Sequence, residues 1–362
     1  MDFDQFKNKG LSGLANLGNT CFINSCMQVI SHTYELNTLL NNENYKRKLK
    51  NKPDSALLLE WDNLRKMLWN ENCVVSPGKF IKTIQRVAGV KNIDMFTGFS
   101  QNDVPEFLLF MIDCFHTSLA REIKMNINGT VKNETDEVAV KCFEMIQNTY
   151  TKEYSEIWNI FYAVHVSTIH SLETGKQLQL TPEPYFMIDL PIPANNKSPS
   201  LIDCMNLYCE GEILQDENAW YNEETKLKEN IQKKISFWSF PTILVIDLKR
   251  FDYRSRKNQI LVSFPLDNLD LSSYVVGYKK NSYVYELYGV CNHSGGVLGG
   301  HYTAYVKNAN GKWYHYNDTS VAEVPLVESI VSPKAYCLFY RKSTPPLENP
   351  LFTGVNPRKP PS

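Results

Sequence analysis

The chain has 362 residues, 43% hydrophobic and 12% aromatic, enough apolar side chain to bury one large or two modest globular cores. Lys and Arg number 38 against 39 Asp and Glu, a formal charge of −1, so no general field draws the molecule to nucleic acid or to an anionic membrane. The opening MDFDQFKNKG lacks the basic and apolar blocks of a signal peptide, and no apolar run approaches the roughly 20 residues that span a bilayer. The expectation is an intracellular protein, cytoplasmic or nuclear and not secreted. Nine cysteines, odd in number and nowhere spaced Cys-x-x-Cys, argue against a disulfide framework and against a zinc ribbon.

The first third reads as helical. From Cys21 the apolar residues Phe22, Ile23, Cys26, Met27, Val29 and Ile30 keep helical spacing, with Asn19 and Thr20 placed to cap the start. Leu57, Trp61, Leu64 and Leu68 predict a second helix, and Phe80, Ile81, Ile84 and Val87 a third behind Ser76-Pro77. A fourth begins at Asp103, where Asp-Val-Pro-Glu reads as a capping box, and runs through Phe107, Leu108, Met111, Ile112 and Phe115. The polar stretch from 120 to 145 reads as a long insertion.

Strand signals dominate the C-terminal third. Residues 242–251, 283–291, 302–307, 313–316 and 335–341 are rich in β-branched and aromatic residues between turn signals. Short connections predict a mostly antiparallel sheet. After Arg341 the chain, Lys342 and then the proline-rich STPPLENPLFTGVNPRKPPS, reads as a flexible tail over 342–362.

A thiol at a helix N-terminus sits among free backbone N–H groups and the positive end of the macrodipole, both of which favour the thiolate. Cys21 has that position, although any one cysteine of nine is more often packing. Its context decides the matter. The run Gly13-Leu14-Ala15-Asn16-Leu17-Gly18-Asn19-Thr20-Cys21-Phe22-Ile23-Asn24-Ser25 closely resembles the cysteine box of the ubiquitin-specific proteases. A second block, Gly299-Gly300-His301-Tyr302-Thr303-Ala304-Tyr305 followed by Trp313 to Val321, resembles their histidine box. Gln101-Asn102-Asp103-Val104-Pro105-Glu106-Phe107-Leu108 and Leu248-Lys249-Arg250-Phe251 are similar to two further segments of that family.

The resemblance implies an α+β fold: a papain-like cysteine protease core in a thumb, palm and fingers arrangement, with a helical N-terminal part and a mostly antiparallel sheet. Residues 10–341 would form one catalytic domain, with the thumb at about 10–120, fingers and part of the palm at about 150–245, and the palm with its histidine box at about 242–341. It implies hydrolysis of the bond after the last glycine of ubiquitin through a thioester on Cys21. His301 would be the base and acid, Asn317 its orienting partner with Asp318 as second choice, and Asn16 an oxyanion donor. Cys26 is the rival nucleophile but lies deeper in the helix; His293 and His315 are rival histidines, one in a turn and one alternating along a strand.

Substrate contacts fall on Gln101, Asp103, Glu106, Gly299, Gly300 and Tyr302, since a basic tail ending in two glycines calls for acids beside a narrow channel. The implied partners are ubiquitin and ubiquitinated proteins, with the enzyme itself a monomer. Many members carry zinc on two Cys-x-x-Cys pairs at the fingertips. This chain has neither pair, and His170, Glu173 and Glu224 make a weak substitute, so no metal and no cofactor are expected. The alternatives are a protease or acyltransferase of another papain-like family, and a non-catalytic ubiquitin-binding module.

Overall fold

A computed structural model describes residues 3–296 and 299–343. In chain order its helices are α1 (Cys21–Ser31), α2 (Tyr34–Asn41), α3 (Pro53–Asn70), α4 (Gly78–Val90), α5 (Val104–Leu119), α6 (Glu134–Glu153), α7 (Glu156–Phe161) and α8 (Leu201–Glu210). The strands are β1 (Gly13–Leu14), β2 (Val74–Val75), β3 (Ala163–Ser171), β4 (Gln177–Tyr185), β5 (Met187–Pro191), β6 (Glu212–Leu214), β7 (Trp220–Asn222) and β8 (Leu227–Glu229). They continue with β9 (Ile231–Phe237), β10 (Ile243–Lys249), β11 (Leu269–Asp270), β12 (Val284–Gly296), β13 (Gly299–Lys307), β14 (Trp313–Asn317), β15 (Ser320–Glu323) and β16 (Ala335–Lys342).

The large sheet runs β15-β14-β13-β12-β16-β10-β5, with β11 added to β12. It is antiparallel except where β5 joins β10 in parallel. Strand β10, ILVIDLK, is buried along both faces from Ile243 to Leu248 because helices cover one side and α8 with its loops the other. A smaller sheet, β4-β3-β9-β6, and the β7–β8 hairpin project beyond it.

Helix α1 is buried along its whole length. It packs between β12 and β13 on one side and α5 on the other, so the residue at its N-terminus is held by both halves of the molecule. Gly289 permits this approach: a Cβ there would lie 2.3 Å from the Val29 side chain. Behind α1, Trp61 of α3 meets Phe80 of α4 and Phe115 of α5 at ring separations of 5.9 and 6.4 Å, locking the helical layer together.

Two local expectations change. Residues 134–153 form α6, capped by Asn133, whose side chain accepts from Asp136 N. Its buried positions Ala139, Cys142, Ile146 and Tyr150 lie on one stripe, so the stretch beyond 133 is structured. Neither Thr20 nor Asp103 caps its helix through its side chain; both are used elsewhere, as described below. The proline-rich tail lies outside the described residues except for its first two members, of which Lys342 ends β16.

Candidate active site

The turn leading to Cys21 is organised by one amide. Asn16 Oδ1 accepts from Gly18 N, Thr20 N and Thr20 Oγ1 at 3.1, 3.2 and 3.2 Å, and Thr20 Oγ1 accepts from Leu17 N at 3.0 Å. The chain must pass through left-handed backbone at Gly18 (φ 106°) and Asn19 (φ 53°), conformations that glycine and asparagine tolerate best. The turn delivers Cys21 as the first residue of α1, 3% exposed.

Burial pushes the Cys21 thiol above its ordinary range. The Tyr302 backbone N–H donates toward the sulfur and opposes this shift; the Asp318 charge reinforces it; the N–H groups of Phe22 and Cys21 at the helix start oppose it again. The helix-terminal donors are therefore present, but they do not overcome desolvation. A nearby base is needed to ionise the thiol at neutral pH. Cys26 is completely enclosed and its thiol is pushed far higher by burial, with Cys291 adding to the shift.

His301 stands near the start of β13, on the exposed rim. Its Nε2 lies 2.6 Å from Asn317 Oδ1, at the end of the adjacent β14. An amide oxygen can only accept, so Nε2 carries a proton and Nδ1 keeps the lone pair that can take one from a thiol. Asp318 is the next residue, but its left-handed backbone (φ 47°) turns it away from the imidazole. Its Oδ2 accepts from Asn16 Nδ2 at 3.0 Å, its Oδ1 from Asn24 Nδ2 at 2.8 Å, and its carbonyl from Leu14 N at 2.8 Å. The structure therefore brings Asn317 to His301 and Asp318 to the cysteine box. Asn24 carries part of this arrangement, and sequence reasoning assigned it no part; its place three residues after the cysteine was the signal.

Of the other predicted residues, Gln101 and Asp103 bridge the helical half to Gly300 and Tyr302 of β13. Gln101 is hydrogen-bonded twice to Gly300: Nε2 donates to the carbonyl and Oε1 accepts from the N–H, both at 2.9 Å. Asp103 accepts from Tyr302 Oη at 3.1 Å and from Tyr336 Oη at 2.9 Å. Burial raises the Asp103 carboxyl above its ordinary value, against the pull of those two hydroxyls. Glu106 and Gly299 are exposed. Behind Gly300 lies the buried ring of His293, tilted against Tyr302 at 4.6 Å and pushed down to about 4 by burial, with the charge of Lys257 adding to the effect. His315 instead packs against Tyr305 at 4.9 Å.

The donors of β3, β4 and β6 to β9 do not suit a four-thiolate zinc ion. No cysteine falls in β3, β4 or β6 to β9. At the β7–β8 turn, Glu229 Oε1 accepts from Asn222 Nδ2 and Thr225 Oγ1 at 2.7 and 2.9 Å, while Asn222 Oδ1 accepts from Glu224 N at 2.9 Å. Among the described residues, Asp54, Asp113 and Cys114 come close enough to share an ion. There Lys91 Nζ already bonds both carboxylates, at 2.7 and 2.8 Å.

The profile of the family described as ubiquitin carboxyl-terminal hydrolase matches residues 12–340. Human ubiquitin carboxyl-terminal hydrolase 2 is 36% identical over 352 residues, covering 93% of this chain and 56% of that protein. The fruit-fly hydrolase Usp2 is 32% identical, covering 93% and 35% respectively. Human hydrolase 21 is 31% identical, covering 92% and 61%. The chain thus spans about half the length of the curated relatives it matches. Among solved structures, the SAGA Ubp8/Sgf11/Sus1/Sgf73 DUB module bound to ubiquitin aldehyde superposes with a TM-score of 0.68 at 23% identity, covering 94% of this chain and 71% of that one. The same fold, an α+β papain-like core, is present here. The chain belongs to the ubiquitin carboxyl-terminal hydrolase family.

Proposed function

We propose that the chain is a cysteine-type deubiquitinase that hydrolyses the isopeptide or peptide bond after the C-terminal glycine of ubiquitin. The observation that carries this reading is the contact between His301 and Asn317 at 2.6 Å beside a Cys21 sulfur that receives the Tyr302 N–H. Cys21 is tied to the same strand, since the N–H that reaches its sulfur belongs to Tyr302, the residue after His301, and this supports a thiol nucleophile served by that imidazole.

In the proposed reaction Cys21 gives its proton to His301 Nδ1 and its sulfur attacks the glycine carbonyl. The carbon–sulfur bond forms as negative charge gathers on the oxygen. Asn16 has one Nδ2 hydrogen on Asp318 and offers the other, with the amides at the start of α1, to that oxyanion. Collapse breaks the carbon–nitrogen bond, and His301 returns the proton to the departing lysine amine. Water, deprotonated by His301, then splits the thioester and frees ubiquitin.

Glu106, exposed, and Asp103, behind Tyr302 and Tyr336, supply the acidic side of a channel whose narrow wall is Gly299 and Gly300. Residues 10–341 act as one catalytic unit with the thumb, fingers and palm boundaries given above, working as a monomer inside the cell, where all nine thiols stay reduced. No helix among the described residues is long and apolar enough to cross a membrane.

The test is labelling by ubiquitin carrying a C-terminal thiol-reactive group. Wild type and Cys26→Ala are expected to label and Cys21→Ala to fail. Labelling that survives Cys21→Ala would sink the assignment, and labelling by a ubiquitin-like modifier alone would change the substrate.

A further inference from the structure

Strand β13 is flanked unequally. On one side β12 pairs with it along its length, from Gly289↔Val306 to Gly296↔Gly299. On the other, β14 pairs only from Ala304↔Tyr316 onward. Residues 299–303, which include His301, therefore begin the strand with a bare outer edge. The opposing segment contains Gly295 and Gly296, so this end of the hairpin has few side chains to stiffen it. A residue's N–H and C=O point to the same side of a strand, and alternate residues share that side. Gly300 and Tyr302 both face the bare edge.

Both are met by the helical half of the molecule. The Tyr302 N–H donates toward Cys21 sulfur. Gly300 exchanges two hydrogen bonds with the Gln101 side chain, each 2.9 Å long. One donor and one acceptor on a planar amide reproduce what a residue of a neighbouring strand would offer. Two residues on, the Asp103 carboxylate bonds the hydroxyls of Tyr302 and Tyr336, so the contacts run 101 to 300 and 103 to 302 in step.

The geometry points to Gln101 as a positioning residue for catalysis: its amide stands in for the missing strand at Gly300 and fixes the backbone from which His301 projects. This rests on reading the site as a thiol hydrolase acting on ubiquitin, and it gives Gln101 a task other than touching substrate. The fit is specific to a primary amide of this length. Glutamate keeps the acceptor for Gly300 N–H but sets a carboxylate oxygen against the Gly300 carbonyl, and it recovers the donor only when protonated. Alanine leaves both Gly300 groups to water, which the open edge admits, so the fold is expected to survive.

The experiment compares wild type, Gln101→Ala and Gln101→Glu by two readouts. The first is alkylation by iodoacetamide without ubiquitin, followed on the Cys21 peptide by mass spectrometry because Cys73 is exposed and also reacts; it reads the thiol–imidazole pair and does not depend on the substrate reading. The second is kcat and KM on ubiquitin bearing a C-terminal fluorogenic amide. Displacement of the imidazole is expected to cut both neutral-pH alkylation and kcat by about tenfold or more in Gln101→Ala, with KM within about twofold. Gln101→Glu should recover toward wild type, each rate taken relative to wild type at the same pH, as pH falls from about 6 toward 4 and its carboxyl takes up the proton that restores the donor. A rise in KM with alkylation and kcat intact would make Gln101 a substrate contact and overturn the inference. So would unchanged behaviour in both variants. If no ubiquitin amide is cleaved by wild type, the function fails while the alkylation comparison still judges Gln101.

Discussion

Asn16 Nδ2 donates to Asp318 Oδ2 at 3.0 Å, across 302 positions of sequence. The bond ties the candidate oxyanion donor to the turn that follows the candidate orienting residue. Asn317, still on its strand, faces His301; Asp318, in left-handed backbone, faces the cysteine box. Adjacent residues thus serve opposite walls of the site.

This division separates two substitutions. Asn317→Ala removes only the acceptor of the imidazole proton, so kcat is expected to fall by about 100-fold with little change in KM or melting temperature. Asp318→Ala also takes from the buried Asn24 Nδ2 its shortest acceptor, leaving it the Leu14 and Ala15 carbonyls at 3.4 Å, and is expected to cost about 1 kcal/mol of stability besides activity. Steady-state kinetics on a ubiquitin fluorogenic amide and thermal melts check both. Equal melting temperatures for the two variants would contradict the arrangement.

Cys21 is held protonated by burial, so its reactivity should depend on His301. In His301→Ala, the rate of alkylation by iodoacetamide is expected to rise only as pH passes above the ordinary thiol range, because the desolvated thiolate has lost its counter-charge. In wild type the rise should begin at lower pH. Cys26→Ala should leave the profile as it was, since that thiol is enclosed. Coincident profiles for wild type and His301→Ala would remove His301 from the mechanism.

Much of this was legible beforehand because the signals are local. Apolar spacing marks α1, α3, α4 and α5, and β-branched runs mark β10, β12, β13, β14 and β16. The two catalytic boxes carry their own resemblance. Contacts across the cleft were not legible. Asp103 reads as a helix cap in any local window, yet Tyr302 and Tyr336 claim its carboxylate, and only the folded sheet brings them there. Gln101 likewise has no local partner to betray its pairing with Gly300. Asp318 and Asn317 read as one turn, and the backbone angle that parts them is a tertiary outcome.

The β7–β8 hairpin is held by Asn222, Thr225 and Glu229 without a thiolate. A strong chelator is therefore expected to leave the melting temperature and ubiquitin-amide hydrolysis unchanged. Asn222→Ala, which removes a 7%-exposed amide and its bonds, is expected to destabilise by about 1–2 kcal/mol. Loss of stability on chelation would show that a metal contributes after all.

Neighbouring glycines in the histidine box should differ sharply. A Cβ on Gly300 would sit 2.3 Å from His293 Nε2 and 2.6 Å from the Ser294 carbonyl, whereas one on Gly299 meets nothing within 4 Å. Gly300→Ala is expected to push the hairpin away from the Gln101 amide and reduce alkylation of Cys21. Gly299→Ala should fold and alkylate normally, and raise KM if it narrows the channel. Matching alkylation rates for the two variants would argue against a tightly held Gly300.

His32 links acidity to stability. It is fully buried at the end of α1, with Nδ1 2.9 Å from the Gln28 carbonyl and Nε2 3.3 Å from the Tyr316 hydroxyl. Burial pushes it down from 6.5 to about 4, against the Gln28 carbonyl, while the charge of Arg341 lowers it further. Above pH 6.5 the ring is neutral whether the chain is folded or not, and it contributes nothing to the pH dependence. Between that value and about 4 the unfolded chain binds the proton and the folded one does not, so stability falls with pH. At pH 5 the loss should be roughly 2 kcal/mol from this residue alone. Denaturant unfolding of wild type and His32→Gln at pH 7 and pH 5 measures it. The variant is expected to be less stable at pH 7 but to lose less on acidification. An equal loss in both proteins would place the acid sensitivity elsewhere, on His293 or His116, both of which burial also pushes below the ordinary histidine range.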